Sequence, residues 1–379
     1  MKIEQSLWNQ DSWKPRDPGE LGVDADLVFV FGSTSLIKNK DVTDRIKAAY
    51  PQAVLMGCST SGEIYRTEVY DDTVVSTAVA FDKARVKAHS LKISDMKDSY
   101  VIGQQLIEGL DKEELVHVFV LSDGINVNGS KLVAGISSQL PTGVALTGGL
   151  AGDGDRFRET VVFGEAGAVG DHQVTVIGLY GDGLKVGYGS LGGWDPFGIE
   201  RTITKSRDNI LYEMDGQPVL GLYKEYLGEH ADKLPASGLL FPLTVKVPGS
   251  DEWVVRTILG VNEDNQSMVF AGDIPEGATA RLMKANFERL IDGANEAAEK
   301  SYQAVGSASP ELAILISCVG RKMILKQRIE EEVESVRDVL GEDSVLTGFY
   351  SYGEISPFTP NAKCELHNQT MTITTFSES

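Results

Sequence analysis

Cysteine is scarce in this chain: three in 379 residues, scattered at Cys58, Cys318 and Cys364. An odd number with no CxxC pair builds no disulfide framework and points to the reducing cytosol, hence a cytoplasmic protein. Histidine is nearly as rare, at five, and no HxxxH or HExxH spacing occurs, which argues against a zinc centre. No apolar run approaches the roughly 20 residues of a membrane helix. Residues 1–22 are polar and carry Trp8, Trp13, Pro15 and Pro18 where a signal peptide needs an unbroken apolar stretch. Basic residues are outnumbered 35 to 55, for a net charge of −20. That balance repels phosphate backbones and anionic lipid, so neither nucleic acid nor a membrane surface is expected as a partner. No loop matches the phosphate-cradling GxxxxGK[ST] pattern.

What the chain does contain is a repeat. Three loops read Gly57-Cys-Ser-Thr-Ser-Gly62-Glu63, Gly149-Leu-Ala-Gly-Asp-Gly154-Asp155 and Gly348-Phe-Tyr-Ser-Tyr-Gly353-Glu354. Each follows an apolar strand ending near a serine (Leu27–Ser33, Val116–Ser122, Leu312–Ser317), a helical stretch and a short second strand. Apolar residues at helical spacing mark the helices: Val42, Ile46 and Tyr50; Leu132, Val133, Ile136 and Leu140; Ile329, Val333, Val336 and Leu340. Pro51 and Pro141 close the first two. Each unit ends in a strand, Val74–Phe81, Val174–Tyr180 or Thr370–Phe376, whose alternation predicts a sheet with one buried and one polar face. The fold class is therefore α/β, a two-region protein with mixed sheets and three related βαβ units whose loops face one another or one cleft.

The middle of the chain differs. Gly181–Gly198 is glycine-rich loop and short strand; a helix is predicted from Asp208 through Met214, and another over Val219–Leu227. Phe241–Val247, Trp253–Leu259 and Ser267–Gly272 read as antiparallel strands, and Ala280–Gln303 as one long helix. The size suits two domains and the 42% apolar content suits a packed core. The expected division is an N-terminal extension over 1–24, a first domain over 25–230 and a second over 231–379, with the third unit free to dock against the first two.

Glycine loops expose backbone N–H groups that can receive a ligand carboxylate, and an acidic side chain beside them can hold an ammonium. Glu63, Asp155 and Glu354, with Gly57, Gly62, Gly149, Gly154, Gly348 and Gly353, are thus candidate ligand-binding residues. Each carboxylate could equally cap its own loop. Arg256 and Arg321 are candidate counter-ions. Cys58 or Ser59 offers a nucleophile for a hydrolase or transferase, but Gly57-Cys-Ser-Thr-Ser61 departs from the Gly-x-Ser-x-Gly elbow, and the other loops carry Leu150 and Phe349 there. A non-enzyme is the expectation.

Together these segments resemble the FIST family. The first FIST region is carried by Leu27-Val-Phe-Val-Phe-Gly-Ser33, Met56-Gly-Cys-Ser-Thr-Ser-Gly-Glu63, Thr147-Gly-Gly-Leu-Ala-Gly-Asp153 and Ile210-Leu-Tyr-Glu-Met-Asp-Gly-Gln-Pro218. The second is carried by Phe241-Pro-Leu243, Val255-Arg256, Phe270-Ala-Gly-Asp-Ile-Pro-Glu-Gly277, Gly348-Phe-Tyr-Ser-Tyr-Gly-Glu-Ile355 and Leu366-His-Asn-Gln-Thr370. The resemblance implies an intracellular signal-input protein that binds a small, amino-acid-like ligand. With no room for an output domain, it is expected to signal through a histidine kinase, diguanylate cyclase or chemotaxis receptor. The family's nitric-oxide-sensing subgroup implies haem with a histidine ligand. His367, in Leu366-His-Asn-Gln-Thr370, is then the first candidate for cofactor and metal, and His172 the second; either could instead simply hydrogen-bond at a strand start. The absence of Cys-x-x-Cys-His excludes covalent c-type haem.

Overall fold

The structure, a computed structural model, describes all residues except 21, 23, 166, 247–248, 250–251, 307–308, 359–361 and 379. Its framework is three parallel strand pairs. Lead strands Leu27–Gly32, Leu115–Ser122 and Leu312–Cys318 pair with the strands entering the glycine loops, Val54–Ser59, Ala145–Leu150 and Val345–Ser351. Parallel pairing demands a crossover. Helices Lys40–Ala49, Gly129–Ser137 and Ile329–Leu340 lie in those crossovers and bury the predicted apolar stripes. Asn39 and Asn128 cap the first two, accepting from the amides of Asp41 and Lys131.

On its other side each lead strand pairs antiparallel with a return strand: Val74–Ala80, Gln173–Tyr180 or Met371–Glu378. Each return strand pairs with an outer strand: Lys2–Asn9, Arg85–Lys92 or Leu184–Leu191. The segment read as an N-terminal extension thus supplies the outer strand of the first sheet.

The next position in every sheet is exchanged between units. The hairpin after the first loop, Glu63–Tyr65 with Glu68–Tyr70, joins the third sheet. The hairpin after the third, Gly353–Pro357 with Cys364–His367, joins the second. Strands Val162–Phe163 and Val169–Gly170, after the second loop, join the first. The exchange runs one way round and closes the three units into a ring. Their sheets share a core in which the Phe29 and Phe119 rings lie 5.6 Å apart and those of Phe31 and Phe349 4.8 Å.

This packing overturns the expected polar face of the last return strand. Residues 371–377 are all buried, because both faces are covered. Thr374 Oγ1 donates across the seam to Thr147 Oγ1 at 2.9 Å, while Thr375 Oγ1 donates to the Ser301 carbonyl of helix Phe287–Ala304 at 3.2 Å.

The described strands between Asp195 and Lys284 build a separate antiparallel layer. Here Ile210–Met214 is a strand rather than a helix: Asp208 and Asp215, with φ of 53° and 51°, turn the chain at either end, and the strand pairs with Arg201–Arg207. The predicted long helix divides too. Ala280 and Leu282 are buried at period two in strand Thr279–Lys284, then Asn286 caps helix Phe287–Ala304. Helix Val219–Leu227 forms as predicted. Of the strand read over Phe241–Val247, Leu243–Lys246 forms and Val247 lies outside the described residues. No described helix is long and apolar enough to cross a membrane.

Candidate functional site

The three glycine loops meet where the sheets converge, joined by a cycle of main-chain hydrogen bonds. Ser61 N donates to Tyr350 O at 2.8 Å, Tyr352 N to Leu150 O at 3.3 Å, and Gly152 N to Ser59 O at 2.9 Å. The cycle sets the true register: Ser61, Gly152 and Tyr352 are equivalent. The counterpart of Gly57 and Gly348 is accordingly Gly148, one residue before Gly149, since these three lie opposite Val30, Leu315 and Val120 on the lead strands.

Glu63 and Glu354 occupy the same place in their units, but they face inward. Glu63, 1% exposed, accepts from Thr60 Oγ1 and from Thr73 through both N (3.1 Å) and Oγ1 (2.7 Å). Glu354, fully buried, accepts from Ser351 Oγ at 2.6 Å and from Thr370 N and Oγ1 at 3.1 and 3.0 Å. Both tie a loop to the start of its return strand. Asp155 is exposed, and the buried acid of the second unit is Asp153, which accepts from the amides of Phe157, Arg158 and Glu159 at 2.8–3.0 Å. Gly62 has a φ of 136°, a glycine conformation, whereas Gly353 has no positive φ. Lys322 lies against Gly62, donating to Ser61 O at 2.9 Å and pairing with Asp71. Arg321 is bound to Glu332 in the interior, unavailable as a ligand's counter-ion.

Burial raises the pKa of the two buried glutamates from 4.5 to about 7 for Glu63 and about 8 for Glu354, against the opposing pull of their hydrogen bonds. The folded protein therefore keeps protons that the unfolded chain has already released between pH 4.5 and 8. Stability from these groups is complete below that window and is lost as pH rises through it. Each tenfold difference in proton affinity between folded and unfolded chain corresponds to ~1.4 kcal/mol, so the loss is on the order of a few kcal/mol. Tm should fall from pH 5 to 8.5, and the Glu63→Gln/Glu354→Gln variant should show a much flatter profile. Parallel profiles would refute the assignment.

The haem implied by the resemblance needs a histidine nitrogen facing an apolar slot wide enough for a macrocycle. His367 is 1% exposed in the exchanged hairpin; its Nε2–H donates to Ser356 O at 2.8 Å, and the Phe358 ring stands edge-on 4.5 Å from it, centroid to centroid. Burial lowers its pKa to about 4. His172 sits in a turn at φ 52°, its amide donating to Asp123 Oδ2 at 2.9 Å. The residues present do not build a haem site, and no group of His, Cys, Asp and Glu among the described residues is placed to hold a metal. Cys58 is wholly buried, its thiol pushed up by desolvation, which leaves no accessible thiolate.

The open feature beside the loops is a cleft of about 140 Å³ between the three-unit core and the antiparallel layer. The core contributes Gly124, Asn128, Leu150, Phe157, Tyr352 and Leu366; the layer contributes Asn209, Leu259, Phe270, Gly272 and Asp273. Phe157, 46% exposed and held at φ 50°, stacks on Tyr352 with centroids 4.2 Å apart. Tyr352 OH donates to Asp153, so the aromatic pair is wired to the second loop. Across the cleft Asn128 Nδ2 donates to Asp273 Oδ1 at 2.9 Å, and Lys131 pairs with Asp208 at 2.7 Å. Sequence reasoning missed Phe157 and Asp273. The signal was present for Phe157, a lone aromatic between Arg156 and Arg158 in a polar stretch.

Comparison with known proteins matches a FIST N domain to residues 26–217 and a FIST C domain to residues 220–357. The chain belongs to the FIST family. FIST domains are associated with sensing in signal transduction. An uncharacterised protein of Methanocaldococcus jannaschii is 26% identical over 369 residues, covering 86% of this FIST chain and 69% of the relative. Among solved structures, a cyanuric acid hydrolase from A. caulinodans aligns with a TM-score of 0.39 and 8% identity over 100% of this chain and 98% of its own. PurLQS from Thermotoga maritima aligns at 0.22 and 8%, over 84% and 74%. At those scores neither likeness carries an argument. In three dimensions the FIST N and FIST C regions interlock, because the third unit completes the ring begun by the first two.

Proposed function

We propose that this FIST protein is a non-catalytic signal-input protein whose sensing site is the cleft between the three-unit core and the antiparallel layer. The ligand is small and amino-acid-like, and occupancy is passed by protein contact to a partner such as a histidine kinase, a diguanylate cyclase or a chemotaxis receptor. The observation that carries this reading is the exposed Phe157 stacked on Tyr352 at the cleft mouth. An aromatic held over a small cleft and hydrogen-bonded through its neighbour to the convergent loops supports both capture and transmission. A ligand that bridges the two walls binds one relative disposition of them better than another, which is the differential affinity any switch requires.

The test is calorimetry with the twenty L-amino acids on the purified protein. Saturable binding without turnover is the expected result. Phe157→Ala should raise the dissociation constant by about ten-fold, since an aromatic contact is worth ~1 kcal/mol or more beyond its area. Chemical conversion of a bound compound, or wild-type affinity in Phe157→Ala, would count against the reading.

A further inference from the structure

Among the described residues seven large apolar side chains are left exposed, and three of them, Met96, Phe157 and Leu259 (45%, 46% and 45%), line the same cleft. They come from distant parts of the chain, and local structure presents each one. Strand Ile258–Asn262 pairs Ile258 with Phe270 and Gly260 with Val269, which makes Leu259 an extra residue, a bulge. A bulge re-aims a side chain. Ile258 is buried, while Leu259 stands open in the cleft wall. Met96 begins the short helical turn Met96–Asp98, which Ser99 fixes to the opposite side of the cleft's rim: Ser99 Oγ donates to the Met96 carbonyl at 2.6 Å and accepts from the Asn128 amide at 3.0 Å. Phe157 holds a left-handed backbone that a bulky residue adopts at a cost, with its amide bound to Asp153. Met96 and Phe157 belong to the three-unit core and Leu259 to the antiparallel layer, so both walls offer apolar surface to one occupant.

Buried lining residues add to that surface: Leu150, Phe270 and Leu366. Among the described residues that line the cleft, Asp273 carries the only charge. Its carboxylate is already engaged, since Oδ1 accepts from Asn128 and the charges of Lys131 and Arg256 act on it. Arg256, a candidate counter-ion from sequence, is itself buried and does not line the cleft; its guanidinium donates to the carbonyls of Leu366, Val255 and Asp273. A charged side chain entering here would lose hydration without gaining a partner. The volume of about 140 Å³ sets the size. An apolar cavity of about 150 Å³ takes a single benzene ring.

We infer that the cleft selects its ligand by one apolar group, aliphatic or single-ring, of about four to seven heavy atoms. Within amino-acid chemistry it takes leucine, methionine or phenylalanine in preference to charged or small side chains. The inference rests on the cleft as ligand site. Selection comes from burying that group between Met96, Phe157 and Leu259, a non-directional gain that grows with the apolar area removed from water. The thioether of Met96 adapts to aliphatic and ring shapes alike.

Calorimetry on the full chain tests this with L-leucine, L-methionine, L-phenylalanine, L-alanine, L-aspartate and L-lysine. Isoamyl alcohol and benzyl alcohol, which keep the apolar group and lack the amino-acid head, are run beside them. Leucine, methionine and phenylalanine should bind, leucine at least about thirty-fold tighter than alanine, at about four-fold per buried methylene. Leu259→Asn and Met96→Gln, neutral and close in shape, should each weaken leucine about five-fold or more. Their Tm should stay within about 2 °C of wild type, because both side chains are exposed. Binding of alanine, aspartate or lysine as tight as that of leucine overturns the inference, as does wild-type affinity for leucine in both variants. If only aspartate or lysine binds and Phe157→Ala abolishes it, the cleft reading stands and the inference fails. If only the alcohols bind, and Leu259→Asn weakens them, apolar selection stands and the amino-acid-like ligand of the functional reading falls. If nothing on the panel binds, both fall.

Discussion

Gly57→Ala, Gly148→Ala and Gly348→Ala should each abolish cooperative folding at ambient temperature. At all three positions a Cβ would fall well under 3.0 Å from a carbonyl oxygen of the paired lead strand: Val30, Val120 and Leu315 respectively. The obstacle is backbone, which cannot rotate away as a side chain can. Nor can the lead strands recede, because Val30, Val120 and Leu315 are themselves fully buried between the sheet and its neighbours. Separating the strands by an ångström or more breaks the parallel ladder at its centre and opens the shared core. The cost should exceed about 4 kcal/mol, in the range reserved for severe core lesions. Gly221→Ala is the control. It lies in helix Val219–Leu227 with no atom within 4 Å of a Cβ, and should be neutral or stabilising by up to ~1 kcal/mol. Urea denaturation followed by circular dichroism reads both. A loss of only a degree or two in Tm for Gly148→Ala would show that the strand pair yields, and would remove the close approach as the reason for glycine.

That prediction also marks where the sequence stops being legible. The glycine loops, lead strands and crossover helices could be read because their signals are local: an apolar run, a 3.6-residue stripe, a closing proline. The register of the second loop could not. Gly148 and Gly149 are adjacent and lack side chains, so the sequence does not tell them apart; the pairing of Gly148 with Val120 and its φ of 147° do. The carboxylates were legible as residue types but not in direction, since Glu63 is turned inward by Thr73, ten positions away. The hairpin exchange left no trace in periodicity, for Glu63–Tyr65 is three residues long and its partner strand is the distant Val345–Ser351. The cleft was the least accessible feature. Its walls come from Met96 through Leu366, brought together only when the third unit closes the ring.

Arg321→Met should cost about 3–5 kcal/mol, because it strands a buried charge. Arg321 and Glu332 are both fully buried; Nε and Nη2 donate to Glu332 Oε2 at 3.0 and 2.7 Å. The guanidinium also donates to Gly192 O and Leu290 O, at 2.5 and 2.6 Å, joining helices Val319–Leu325 and Phe287–Ala304 to the loop after the third outer strand. Glu332 Oε1 in turn accepts from Tyr350 OH at 2.7 Å and Ser317 Oγ at 3.0 Å, reaching the third glycine loop. Losing the arginine leaves the carboxylate facing only two hydroxyls in the interior. Losing both charges is different, since a buried ion pair barely repays its desolvation and an apolar pair of similar volume can replace it. Arg321→Met/Glu332→Leu should therefore recover most of the stability lost by Arg321→Met alone, giving a double-mutant coupling of roughly 2 kcal/mol or more. Strictly additive losses would show that the carbonyl contacts to Gly192 and Leu290, rather than the charge pair, hold this corner of the ring.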